Sequence, residues 1–452
     1  MTRKRYPRFA TRLPLLCVLA LAFVPSASAE WKEKVLYSFQ GGATDGALPA
    51  GGVVFDTAGN LYGATDQGFG LCPPAQCGSV FQLSPPVKSG DPWTETILHV
   101  FTGNSNGDGD SPAGGLVTDN KGNLYGTAAY GGTGDCVLLG TKVGCGIVYQ
   151  ITPPDTKGGA WTEKVLYSFQ GGKDGYLPVG DFTFDKSGNL YGATYYGGGY
   201  GSCNSPYYQY CGTIFKLGPP KTKAGKWKET VLYSFKSGTD GANPNGALVF
   251  DAKGAIYGTT YAGGNDTYCK YDTSQGCGTA FELRPPDIKD KAWKEAVLRR
   301  FSKDEGNPSA GMIFDGRGYL YGTTLSTVFR LTPLSGDSGS WKHTILFAFC
   351  GQNEGCAPAG SLIFDSSGRL YGTTFYGFGD ELYGSVFCLK PPGKNEGLWT
   401  IDYLYGFVNA PNGLYPAAGL VFNNAGRLYS TTTGGGRGSC SRYCGTVFEV
   451  SP

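Results

Sequence analysis

The chain has 452 residues, with 38 basic and 36 acidic side chains and a formal net charge of +2. A balance so close to neutral excludes an electrostatic nucleic-acid binder. Charged residues are only 16% of the chain, aromatics reach 14% and glycines number 74, a composition of short strands and tight turns rather than helices.

Residues 1–29 read as an export signal. Arg3, Lys4, Arg5, Arg8 and Arg12 form a basic start, residues 13–24 are apolar, and Ala27-Ser28-Ala29 is a small-residue cleavage site. The apolar run is too short for a spanning helix, and no later stretch reads as a transmembrane segment. The expectation is an exported protein, periplasmic or extracellular, whose mature part is one seven-repeat domain over 30–452.

Seven tryptophans follow, and each opens the same nine-residue phrase, from WKEKVLYSF at Trp31 to WTIDYLYGF at Trp399. Their spacing runs from 48 residues (Trp293 to Trp341) to 68 (Trp93 to Trp161). Self-similarity at that period marks a repeat architecture. After each Trp phrase comes a small, apolar phrase anchored by Pro49, Pro112, Pro178, Pro244, Pro308, Pro358 or Pro416. A D-x-x-G turn follows, as at Asp56 to Gly59, with Asn423 replacing the Asp in the seventh copy. Glycine supplies the positive φ of such a hairpin. The third phrase is close to N-L-Y-G-T-T, with Tyr62, Tyr125, Tyr191, Tyr257, Tyr321, Tyr371 and Tyr429 in register. A variable loop leads to a fourth phrase, G-T-V-F-x-L.

Four strands repeated seven times predict an all-β fold, a seven-bladed β-propeller of four-stranded blades. The Pro phrase suits the crowded axis and the Trp phrase the outer edge. No Trp phrase follows the seventh G-T-V-F, so residues 31–39 must complete the last blade and remove its open edge.

The L-Y-G-T-T and G-T-V-F phrases, with the glycine pairs and the D-G-x-x-P segments, resemble the GloVer tandem-repeat family of bacterial exported proteins. The resemblance covers the mature chain. It implies a secreted repeat protein, often with a C-terminal surface anchor, and this chain shows no such tail after Pro452. It carries no catalytic residues over.

Twelve cysteines form six local pairs: Cys72 with Cys77, Cys136 with Cys145, Cys203 with Cys211, Cys269 with Cys277, Cys350 with Cys356, and Cys440 with Cys444. In an exported chain these read as disulfides, whereas zinc would lack ligands because only His99 and His343 exist and both read as structural. Cys388 is left as a buried thiol.

Propeller geometry places two kinds of loop on one face. One carries D-G-x-x-P, with Asp45, Asp108, Asp174, Asp240, Asp304, Glu354 and Asn412 each four residues before the proline. This acidic ring at the channel mouth is a candidate calcium site, or each acid caps its own turn; no other cofactor is implied. The second loop carries most of the Cys pairs and the candidate ligand-binding tyrosines: Tyr195, Tyr196, Tyr200, Tyr207, Tyr208 and Tyr210 in the third copy, with Tyr130, Tyr261, Tyr268, Tyr271 and Tyr376 elsewhere. Phe375 and Tyr383 lie in the same class of loop. Flat rings with a hydroxyl suit sugars or a protein partner. The fifth copy has almost no such loop, which predicts a notch in the rim. No G-x-S-x-G, H-E-x-x-H or P-loop is present. The functional expectation is a binding module for a glycan or cell-envelope ligand. The alternatives are a carbohydrate-active hydrolase or lyase working through channel-mouth carboxylates, and a passive scaffold.

Overall fold

The computed structural model describes residues 30–452 except 50, 70–76, 89, 104–106, 139, 157, 200–210, 223, 266–268, 272–273, 288–290, 335–338, 351–354, 378–382, 394–396, 409, 439 and 441–443. Residues 31–452 form one compact unit. Among the described residues there is no α-helix, and seven antiparallel four-stranded blades follow in chain order. In the third blade the strands run from Tyr176–Phe184 through Leu190–Tyr196 and Thr213–Gly218 to Lys228–Ser234, each paired to the next. The fold is a seven-bladed β-propeller.

The ring closes as the sequence predicts. Lys32–Ser38 pairs antiparallel with Thr446–Ser451, which pairs with Leu428–Thr432 and then Val421–Phe422. The first strand of the domain is therefore the outer strand of its last blade.

Each motif now has a physical role. The Trp phrase ends in a phenylalanine that points inward: Phe39, Phe101, Phe169, Phe235 and Phe407 are wholly buried. Each of these meets an aromatic ring of the G-T-V-F strand, as Phe169 meets Phe215 edge-on at 5.2 Å. Burying one such ring contributes roughly 1.5–3 kcal/mol. The glycine of L-Y-G leaves room for that second ring, because a Cβ at Gly258 would sit 2.6 Å from Phe281 Cζ. The tyrosine of L-Y-G donates to the D-x-x-G aspartate, as Tyr125 to Asp119 at 3.1 Å. The second threonine of T-T bonds across to the first residue of the next strand, as Thr260 to Thr279 at 2.9 Å.

The first threonine reaches between blades. Thr259 donates to the Asn245 carbonyl of its own blade and to the Ala310 carbonyl of the next, and Thr373 does the same with Ala359 and Ala418. At the axis the Pro-anchored strands touch backbone to backbone. A Cβ on Gly114 would lie 2.6 Å from the Gly180 carbonyl oxygen, one on Gly180 2.8 Å from that of Gly246, and one on Gly52 2.9 Å from that of Gly419. Small residues at these positions let the blades close round the axis.

Candidate functional site

The residue before six of the seven anchoring prolines is strained. Leu48, Ser111, Leu177, Asn243, Ala357 and Tyr415 have φ between 53° and 60°, a left-handed conformation that costs a non-glycine residue about 1–2 kcal/mol. A hydrogen bond from the preceding blade offsets it: Leu48 N–H donates to Cys444 O at 2.8 Å, Asn243 to Cys211 O at 2.7 Å, and Tyr415 to Tyr383 O at 2.7 Å. The kink turns the strand start toward the channel mouth. There a cavity of about 1280 Å³ is lined by Leu48, Pro112, Val179 and Asn245 on one side and by Phe375, Tyr376, Tyr383 and Tyr415 on the other.

The second wall is aromatic. Phe375 and Tyr415 stack at 4.9 Å with their planes 20° apart, and Tyr383 stands edge-on to Tyr415 at 5.7 Å. Tyr376 packs edge-on against Phe375 at 5.0 Å, yet it is 53% exposed and Tyr383 is 41% exposed. A stacked base therefore holds two rings that are open to solvent. Asp66 also lines this cavity. Burial pushes its carboxyl up to about 6, and the neighbouring Asp110 adds to the rise. None of the described lining residues comes from the fifth copy. There the loop shrinks to a tight turn closed by Thr324 N–H to Thr327 O at 2.9 Å.

Of the aromatic residues singled out by sequence, Phe375, Tyr376 and Tyr383 line the cavity. Tyr195 and Tyr196 pack instead on each other at 4.9 Å, and Tyr196 stacks on Tyr176 at 5.3 Å. Neither of them lines the cavity, and neither do Tyr130 and Tyr261, which are half-buried. Tyr271 belongs to a short strand pair with Ser274–Gln275. Tyr200, Tyr207, Tyr208, Tyr210 and Tyr268 lie outside the described residues. Motif reading passes over Tyr415 and Asp66, because one precedes a framework proline and the other directly follows the L-Y-G phrase.

The D-G-x-x-P acids are bound locally. Asp45 accepts from Gln40 N–H at 2.7 Å, Gly46 N–H at 2.6 Å and Tyr37 hydroxyl at 3.1 Å. Asp174 and Asp240 accept from Tyr167 and Tyr233 in the same way, Asp108 faces His99, and Asn412 donates to Tyr405. Each of these groups thus joins its own turn to the preceding outer strand. The fifth copy corrects the register. Asp304 is exposed, and Glu305 takes the equivalent place, bound to Ser302 N–H at 3.0 Å and Arg299 at 2.8 Å. The longer glutamate side chain reaches the same turn from one residue later. Glu354 lies outside the described residues.

Disulfides join Cys136 to Cys145, Cys269 to Cys277, Cys350 to Cys356 and Cys440 to Cys444. Cys77 and Cys211 are also disulfide-bonded, while Cys72 and Cys203 lie outside the described residues. Cys388 is a buried free thiol.

The Gloeobacter/Verrucomicrobia repeat matches residues 24–204, 137–326 and 267–452, which together span nearly the whole chain. The chain belongs to this repeat family. No curated protein matches this family member significantly. Solved structures resemble it in fold. A fungal alcohol oxidase in complex with copper is 11% identical over 93% of this chain and 76% of its own, with a TM-score of 0.51. A putative glucose dehydrogenase from Thermus thermophilus is 13% identical, covers 93% of this chain and all of its own, and has a TM-score of 0.43. The PQQ-bound aldose sugar dehydrogenase from Streptomyces coelicolor is 13% identical over 94% and 98%, with a TM-score of 0.42. At such identity these likenesses concern the propeller alone. Among the described residues, no helix of this repeat protein is long and apolar enough to cross a membrane.

Proposed function

We propose that this exported repeat protein is a glycan-binding propeller whose ligand enters the channel mouth and lies against Tyr376 and Tyr383. The observation that carries the reading is the aromatic wall itself: two solvent-open rings fixed by a stacked pair beside a carboxylate. Sugar rings present flat C–H faces to such surfaces and hydroxyls to nearby acceptors, and a rigid tyrosine meets both at low entropic cost. The gap at the fifth copy supports entry of an extended polysaccharide from the side. The disulfides support an oxidising compartment. The test is retention of the oxidised protein on a panel of insoluble cell-wall polysaccharides. Retention of wild type and at least tenfold weaker retention of a Tyr376→Ala/Tyr383→Ala variant is the expected result. Equal retention of the two sinks the reading, and no retention on any glycan favours a protein-interaction scaffold.

Asp66 favours a second reading. A carboxyl pushed up to about 6, with a second buried carboxyl, Asp110, close enough to add to the rise, is a candidate general acid. Release of soluble sugar by wild type but not by Asp66→Asn would make the protein a hydrolase or lyase. Release unaffected by that substitution removes Asp66 from consideration.

A further inference from the structure

The loop acids belong to a larger cluster repeated between blades. In the first five copies the seventh residue of the Trp phrase faces the loop acid of its own copy, and the third residue of the next Trp phrase approaches from the neighbouring blade. In the first copy these are Tyr37, Asp45 and Glu95, where Tyr37 donates to Glu95 at 2.7 Å and to Asp45 at 3.1 Å. The third and fourth copies repeat the set as Tyr167, Asp174 and Glu229, and as Tyr233, Asp240 and Glu295. Each phenol donates a hydrogen bond to a carboxylate, and while it keeps its proton it is a poor metal ligand. The fifth copy holds Arg299 and His343 on either side of Glu305, at 2.8 and 3.2 Å. Its guanidinium supplies the positive charge.

The second copy differs in kind. His99 lies on the outer strand Thr94–Val100, Asp108 in the following loop, and Glu163 on Thr162–Ser168 of the next blade. One imidazole nitrogen and one oxygen from each carboxylate all lie within 4.8 Å of one another. His99 Nε2 is 3.4 Å from the Asp108 carboxylate, and Phe101 fixes the imidazole edge-on at 4.7 Å. One Glu163 oxygen, Oε1, is shielded from solvent and has no hydrogen-bond partner among the described residues. The same oxygen is unpartnered at Glu33, Glu95, Glu229 and Glu295, but in their copies, the seventh, first, third and fourth, a tyrosine stands where His99 stands here. Among the described residues, no lysine or arginine forms an ion pair with Asp108 or Glu163.

We propose that His99, Asp108 and Glu163 bind one zinc ion, which clips the first blade to the second. Zinc takes one imidazole and two carboxylates readily, with bonds of about 2.0–2.2 Å in tetrahedral array, so its ligand atoms lie roughly 3.5 Å apart. The three side chains reach that spacing from within 4.8 Å by closing up to roughly 1.3 Å, which side-chain rotation supplies. Calcium is disfavoured because it asks for six to eight oxygens. The half-buried position leaves the remaining coordination to water. This site is independent of the glycan reading, since none of its residues lines the mouth cavity.

The experiment strips the full oxidised chain with chelator, then titrates it with zinc chloride and measures bound metal by mass spectrometry. One zinc per chain is expected, with affinity at least tenfold weaker in both His99→Tyr and Glu163→Gln. His99→Tyr imports the residue that the first, third and fourth copies already carry, so it tests the ligand without testing the fold. Zinc should also raise the melting temperature of wild type and leave that of His99→Tyr unchanged. No stoichiometric zinc in wild type overturns the proposal, and so does binding of unchanged affinity in His99→Tyr.

Discussion

The two ends of each blade obey different rules. At the turn end every copy repeats one device. An aspartate, or Asn423 in the seventh blade, accepts from two turn N–H groups and bonds the tyrosine of the following strand, as Asp185 does with Ser187, Asn189 and Tyr191. At the loop end the copies diverge in length, in cysteine pairing and in the seventh residue of the Trp phrase, which is Tyr37, His99, Tyr167, Tyr233, Arg299, Phe347 or Tyr405. The difference teaches that the turn end is set by backbone geometry, which tolerates few solutions. The loop end has only to reach the next blade, and its side chains are free to carry chemistry.

Four perturbations test that contrast, from the largest effect down. Removing residues 30–38 leaves Thr446–Ser451 with an uncovered edge. The expected outcome is loss of the single cooperative melting transition together with self-association, seen by calorimetry and size exclusion; an unchanged melt would mean that closure contributes little. Next, replacing Cys136 and Cys145 by serine opens a loop closed across a sequence separation of 9 and should cost about 2–3 kcal/mol. Hydrogen exchange should quicken at Gly131–Gly146 while the amides of Lys121 and Asn123 at the turn end keep their protection. Equal quickening at both ends would dissolve the distinction drawn above. Third, Gly372→Ala places a methyl 2.6 Å from Phe387 Cζ and should cost roughly 1–3 kcal/mol. Gly316→Ala meets nothing within 4 Å and should stay within about 0.5 kcal/mol in denaturant melts.

The fourth perturbation is pH, and the two ends respond with opposite sign. Burial, reinforced by Asp174 and Asp240 respectively, pushes Glu229 and Glu295 from 4.5 up to about 7. Their contribution to stability is complete below pH 4.5 and is lost as pH rises through about 7. At the turn end, bonds from Ser367 and Arg369 overcome partial burial and hold Asp365 down at about 2. That contribution is present above pH 3.8 and lost as pH falls toward 2. Melting temperature should therefore peak between about pH 4 and 5. Glu33, Glu95 and Glu163 are pushed up to about 7 as well, so Glu229→Gln with Glu295→Gln should make the alkaline limb shallower and leave the acid limb unchanged, and an alkaline limb that keeps its slope would assign the effect to other groups.

Much of the fold was legible in the sequence, because each repeated letter answers a contact that recurs. The Trp31 phrase, with no blade of its own, could only complete the last one, and Lys32–Ser38 pairs there. The site was less legible. Asp304 stands at the right count from Pro308, but Glu305 with one more methylene makes the bond. Tyr415 reads as framework because it precedes Pro416, yet its left-handed backbone turns its ring onto Phe375. Asp66 carries no motif, and its surroundings come from a neighbouring blade. The cysteine pairs, by contrast, needed only proximity in sequence.

The closing strand has a consequence for how the chain is made. Of the strands that make the ring, Lys32–Ser38 leaves the ribosome first and its partner Thr446–Ser451 last. Through all of synthesis the strand waits with its hydrogen-bonding edge unmet, and the rest of the ring can assemble blade by blade from local contacts. Closure is a single long-range event at the end. Until then the waiting strand can pair as readily with the last blade of another molecule, which would link two rings by exchange. Lys32 and Lys34 project outward along it, and charges at an open edge are a means of discouraging that encounter.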